Sequence, residues 1–202
     1  MLIIRVVQKL SKIFNVKYIW IYLFKFIGYD LRKIRLGRLA NKKNAKPTLV
    51  LDMDKTLLYT KKKLNGILIT YRPYLDEFLQ EMSKLYNIVL FSHGRENYVH
   101  SLAEKIDPEG VIFQAIFSRS DCDYCANGAI PIKDLSKLNL NLKKTILVDD
   151  TRLCGLLQPY NLINIKAFMG NTNDIALLVL SKLLVKLIKC PDFTEYIKRK
   201  TN

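Results

Sequence analysis

The sequence predicts an α/β fold, a central parallel sheet with helices on both faces. Two observations carry that prediction. From Pro47 onward, short and nearly continuous apolar runs alternate with stretches of helical periodicity. Strands that are apolar on both sides belong in a parallel sheet covered on both faces. Three of those runs also end in polar residues: Asp52 with Asp54, Ser92, and Asp149 with Asp150. In such sheets ligands bind beyond the carboxyl ends of the strands, so this pattern marks one edge as a site.

The elements follow in order. Thr48–Met53 reads as a strand. Leu64-Asn65-Gly66-Ile67 is a hairpin turn signal between Leu57–Tyr59 and Ile67–Tyr71. A helix over 74–86 puts Leu75, Phe78, Leu79, Met82, Leu85 and Tyr86 on one face, with Pro73 just ahead of it. "NIVLFS", 87–92, is a second strand, and a helix over 95–106 follows. "VIFQAIF" is a third strand and "KTILVDD", 144–150, a fourth. The helix over 173–189 is apolar nearly all round, so it should be buried or covered by the N-terminal arm.

A chain of 202 residues suits one domain plus an extension. Half of the residues are hydrophobic and a quarter charged, which describes a globular body. The net charge of +15 is unevenly spread. Residues 1–46 carry twelve Lys or Arg against one acid, Asp30; the rest carries 21 against 17. This divides the chain into a basic arm, 1–46, and a mildly basic body, 47–202. It argues against nucleic acid as a partner and for an arm that meets an anionic surface.

Within the arm, residues 1–14 read as an amphipathic helix, with Ile3, Val6, Val7, Leu10 and Phe14 opposite Arg5, Lys9 and Lys12. The apolar run Tyr18–Phe24 is much shorter than the roughly 20 residues that span a bilayer. Three readings stand: an interfacial or marginally inserted membrane anchor, ranked first; a mitochondrial-type presequence; and helices docked on the body. The cysteines, Cys122, Cys125, Cys154 and Cys190, lack a partner pair or a His cluster for zinc, and read as free thiols of a reducing, intracellular compartment. His93 and His100 match no motif and read as surface or helix-face residues.

Asp52 and Asp54 sit one residue apart at the end of a buried strand. Like charges crowded there cost free energy unless a cation, a proton or a chemical task offsets them. An acidic pair after a strand is often only a turn or a cap. Taken in order with Ser92, Lys133 in "IPIKDLS" and Asp149/Asp150, it reads as chemistry.

Those residues resemble a known family. "DMDKT" is similar to the Asp-x-Asp-x-Thr signature of haloacid-dehalogenase-type phosphatases, in particular the RNA polymerase II C-terminal-domain (CTD) phosphatase family with its small CTD phosphatase branch. "YRPYLDEFLQEMSKLYNIVLFS", "IPIKDLSKLNLNL", "ILVDD" and "GNTNDIALL" extend the resemblance over about residues 48–188. The resemblance implies a Rossmann-like haloacid-dehalogenase fold and a magnesium-dependent protein serine/threonine phosphatase. It implies Asp52 as nucleophile, Asp54 as general acid and base, and Lys133 as the neutralising cation. Thr56 would support the turn, and Ser92 would bind a phosphoryl oxygen. Mg2+ would lie between Asp52, the main-chain carbonyl of Asp54, and Asp149 or Asp150, with Asp150 preferred and Asp149 positioning Lys133. Arg119 sits where the family has an Arg-x-x-Cys, as a candidate for holding a peptide; a solvated loop charge is the alternative. Arg72 is a similar candidate, against capping or pairing near helix 74–86. The intervals between motifs leave room for a small hairpin but no large cap, so a phosphorylated protein is the implied substrate.

The chain departs from the family in lacking a proline after "DDT", in having Phe168 for tryptophan, and in a longer loop before Lys133. The arm resembles a branch held at the endoplasmic reticulum and nuclear envelope. The alternative is a binding module: "SLAEKIDP" and "KDLSKLN" resemble a mitochondrial inner-membrane import subunit that shares this fold and needs no catalysis.

Overall fold

The computed structural model describes residues 46–64, 66–125 and 128–201. The readings made for residues 1–45, and Asn65 of the turn signal, lie outside the described residues.

Five strands form one parallel sheet in the order β5-β4-β1-β8-β9. Strand β1, Thr48–Leu51, is central and fully buried. It pairs with β4, Asn87–Phe91, on one side and β8, Thr145–Asp149, on the other. The edges are β5, Phe113–Phe117, and β9, Leu162–Asn164. A hairpin, β2 (Leu58–Lys63) with β3 (Gly66–Tyr71), and a small pair, β6 (Asp123–Cys125) with β7 (Ile130–Ile132), stand apart from the sheet. The α-helices are α1 (Leu75–Leu85), α2 (Glu96–Ile106), α3 (Ala176–Ile188) and α4 (Phe193–Thr201).

Strand alternation divides the core. Leu49, Leu51, Ile88, Leu90, Ile146 and Val148 face one side, where the buried residues of all four α-helices pack. Val50, Val89, Phe91 and Leu147 face the other, covered by Cys122 and by the 3-10 turn Leu135–Leu138. Helical segments therefore cover both faces, but on the second face as 3-10 turns. Among the described residues, no helix is long and apolar enough to cross a membrane.

Three expectations need correction. Strand β1 stops at Leu51, because the carbonyl of Met53 accepts the N–H groups of Thr56, Leu57 and Leu58 and turns the chain. Asp52 and Asp54 thus lie beyond the end of the strand, on either side of Met53 where the turn begins, and do not share one strand face. Of the two readings of α3, burial all round does not hold: Leu177, Leu180, Leu184 and Leu187 form the buried stripe, while Leu178, Val179 and Val185 are exposed; cover by the N-terminal arm lies outside the described residues. The β2 strand runs to Lys63, past the expected Tyr59, because its main chain is paired along the hairpin although the side chains of Lys61, Lys62 and Lys63 are exposed.

Candidate active site

Beyond the carboxyl ends of the strands lies a cleft of about 750 Å³. Asp52, Asp54, Ser92, Arg119, Lys133, Asp149 and Asp150 all line it. Thr56 does not: it is fully buried and donates its hydroxyl to Asp52 Oδ2 at 2.8 Å. Asp52, Ser92, Lys133, Asp149 and Asp150 each close or directly follow a strand. The Asp52 N–H donates to the carbonyl of Val148, which extends the β1–β8 ladder by one bond. Ser92 follows β4, and its N–H donates to the Phe117 carbonyl of β5. Its Oγ accepts from the N–H of Gly94 at 3.0 Å. A Cβ on Gly94 would lie 2.9 Å from Tyr98 and Val99, so this close turn needs glycine.

Lys133 is buried and bridges two carboxylates, Asp52 Oδ1 and Asp149 Oδ2, each at 2.7 Å. Burial alone would favour loss of its proton, but Asp52 and Asp149 reverse this and hold it charged. The second Asp149 oxygen, Oδ1, accepts from the N–H of Thr151. Asp149 thus joins Lys133 through one oxygen and its own loop through the other. Asn164 of β9 donates to the carbonyls of Asp149 and Asp150 and fixes that end of β8.

Asp54 has a different environment. Its Oδ1 accepts the hydroxyl of Tyr98 at 2.6 Å, and that hydroxyl lies 3.1 Å from Thr60 Oγ1. Burial raises the Asp54 carboxyl above the usual carboxylate range, although the Tyr98 hydrogen bond pulls it down. Burial also raises Asp52, against the pull of Lys133, and raises Asp150.

Carboxylate oxygens of Asp52, Asp149 and Asp150 lie within 4.8 Å of one another. Three acids and Lys133 leave a net charge of −2, which fits one divalent cation with oxygen ligands. The Asp54 carboxylate stands outside that trio.

Two residues at this site escaped sequence reasoning. Tyr98 reads only as part of an amphipathic helix. His93, expected at the surface, lines the cleft half-buried, with Nε2 3.2 Å from the Tyr124 hydroxyl. Burial, then Arg119, lowers its pKa. Adjacency to Ser92 was the available signal. Arg119 donates Nε to the carbonyl of His93. Arg72 is fully buried away from the cleft. It binds Asp174 in a two-toothed ion pair and the carbonyls of Thr56 and Lys166, with its guanidinium over Phe168. That is the pairing alternative, with a partner far along the chain. Cys122, Cys125 and Cys154 are buried free thiols, and burial pushes Cys122 up to about 12.

Comparison with known proteins places this geometry. A family model described as NLI interacting factor-like phosphatase matches residues 47–194. The mitochondrial import inner membrane translocase subunit TIM50 of Arabidopsis thaliana is 40% identical over 153 residues, 75% of this chain and 37% of that protein. A probable C-terminal domain small phosphatase of Dictyostelium discoideum is 31% identical, over 72% of this chain and 52% of that one. The human CTD small phosphatase-like protein is 28% identical, over 78% and 62%. The chain thus spans less than two thirds of each of these relatives, from 37% to 62%. Among solved structures, the fission yeast RNA polymerase II CTD phosphatase Fcp1 bound to beryllium fluoride matches with a TM-score of 0.50 and 20% identity, covering 77% of this chain and 54% of that one. That likeness concerns the fold: a central parallel sheet with helices. With the strand-end carboxylates and the extent of the family match, this chain belongs to the NLI interacting factor-like, CTD phosphatase-like family.

Proposed function

We propose that this chain hydrolyses phosphoserine or phosphothreonine in a protein substrate, through an aspartyl-phosphate on Asp52 and with Mg2+ as cofactor. The observation that carries the reading is the division of labour between two carboxylates. Asp52 is gripped by Lys133 and Thr56, while Asp54, with a raised pKa, is held by a phenol.

In the first step a carboxylate oxygen of Asp52 attacks phosphorus and the bond to the serine oxygen breaks. Asp54, protonated, gives its proton to that leaving oxygen. In the second step water attacks phosphorus, Asp54 takes its proton, and inorganic phosphate leaves with Asp52 restored. Lys133 and Ser92 bind phosphoryl oxygens that gain charge. Asp52, Asp150, Asp149 and the Asp54 main-chain carbonyl are the candidates to hold Mg2+, which when bound offsets the repulsion between a phosphate dianion and an anionic nucleophile.

The test is phosphate release from p-nitrophenyl phosphate and phosphoserine peptides, with and without Mg2+. Asp52→Asn should lower turnover by roughly a thousandfold or more. Wild-type turnover no faster than that of the variant would refute the reading.

A second reading is supported by the 40% identity to the plant TIM50: a binding subunit of a mitochondrial inner-membrane translocase, without catalysis. It predicts inactivity in the same assay. The two readings also differ in place, mitochondrial for the second and a membrane-associated intracellular site for the first. For the arm, 1–46, contact with an anionic membrane is proposed from its charge.

A further inference from the structure

We propose that the cleft takes its phosphorylated residue from an acidic stretch of protein, in which carboxylates or a second phosphate flank the phosphoserine or phosphothreonine. This rests on the phosphatase reading and names the substrate class of that same site.

The lining of the cleft separates its charges by depth. Its acids are Asp52, Asp54, Asp149 and Asp150, all at the reaction centre. Its exposed cations are Lys55, Lys62, Arg95 and Arg119, and no acid lies among them in the lining. They come from four separate places: the turn after β1, the hairpin, the start of α2, and the turn after β5. The side chains of Lys62 and Arg95 make no hydrogen bond or ion pair with any described residue, so their charge is available to a ligand.

Register aims Lys62. Alternation along β2 puts Thr60 and Lys62 on one face, with Lys61 and Lys63 on the other. Thr60, Lys62 and Ile67, the cross-strand partner of Lys62, all line the cleft. The contact of Thr60 with Tyr98 ties this face of the hairpin to α2, which begins just after Arg95. Lys62 and Arg95 therefore flank the side of the cleft that holds Asp54, where the chain bearing the leaving oxygen must run.

A charge cluster on a basic protein is most often a solvated face, and that alternative predicts indifference to the charge of the substrate. Each exposed pair is worth little, but several cations around one concave opening add up in encounter and binding. A segment rich in Lys or Arg would meet four cations at the rim. Charge complementarity thus opposes basic ligands and favours acidic ones.

The experiment uses the full chain and three phosphoserine peptides that differ only in flanking residues: glutamate, neutral or lysine. The expected order of kcat/KM is acidic, neutral, basic, with about a tenfold gain for acidic over neutral at low salt. The preference should disappear in the Lys62→Glu/Arg95→Glu double variant and in about 1 M salt, where the screening length is about 3 Å. Equal kcat/KM across the peptides, or an unchanged preference in the double variant, would overturn the proposal. If no peptide is turned over, the phosphatase reading fails by itself. Fluorescence anisotropy then decides the rim: tighter binding of the acidic phosphopeptide than of a lysine-rich amphipathic peptide, lost in the double variant, upholds it. Tighter binding of the lysine-rich peptide overturns it.

Discussion

Asp52 and Asp54 differ by two positions and by every contact that matters. One faces a buried ammonium and a threonine hydroxyl, the other a tyrosine hydroxyl. The Tyr98 phenol, itself pushed up to about 12 by burial and then by Asp54, donates to the ionised form of Asp54. Removing it should raise the Asp54 carboxyl further, since a bond that favours the charged form is lost. In the proposed mechanism Asp54 starts protonated, so Tyr98→Phe should move the alkaline limb of the pH–rate profile upward. A loss of roughly threefold to tenfold in kcat should fall on phosphoserine peptides more than on p-nitrophenyl phosphate, whose leaving group needs less protonation. A profile with an unmoved alkaline limb would show that Tyr98 does not tune Asp54. That Asp52, Ser92, Asp149 and Asp150 gather in one cleft was legible because strand ends of a parallel sheet meet at one edge. Lys133, which follows β7 of the small antiparallel pair, was singled out by the family resemblance and not by the sheet. Tyr98 was not legible, because helical periodicity shows which face is buried and not which residue reaches over the end of a neighbouring strand.

At the scale of elements, Arg72 fastens the hairpin to the start of α3. Its guanidinium joins the end of β3 to Asp174, whose Oδ1 also accepts the first N–H of α3, from Ala176. Burial pushes the Asp174 carboxyl up, but the Arg72 and Ala176 hydrogen bonds outweigh this and hold it below the usual range. A carboxyl lowered on folding stabilises above its unfolded value, about 4, and loses that contribution as pH falls through its folded value. Asp174→Asn leaves the buried Arg72 without a counter-charge and should cost about 3 kcal/mol at neutral pH. In urea unfolding followed by circular dichroism, the gap from wild type should narrow below about pH 4. A gap that persists unchanged there would assign the loss to packing. Among elements, β1, β4 and β8 were legible from continuous apolar runs, α1 from its helical period, and α2 from its place between two strands. The edge strand β9 is three residues long and α4 is a short, charged helix held by Phe193 and Ile197. Both owe their form to the core they lie on, so local pattern could not reveal them.

Over the whole molecule, charge is divided along the chain. The body carries net +4 over residues 47–202, and the arm carries +11. If the arm meets membranes, residues 1–202 should co-sediment with vesicles containing anionic lipid far better than residues 47–202, and salt should abolish the difference. Equal sedimentation by both would remove the anchor. The sheet has a consequence of another kind. Thr48 pairs with Asn87 on one side and with Thr145 on the other, so the central strand is closed by partners from distant parts of the chain. The chain leaves the ribosome in order, and β1 emerges long before β8. Until residues 145–149 are outside the exit tunnel, Asp52 has neither its ladder bond to Val148 nor Asp149 beside Lys133. A nascent chain stalled before β8 therefore carries the signature aspartates with no assembled centre, and the site appears all at once, late in translation.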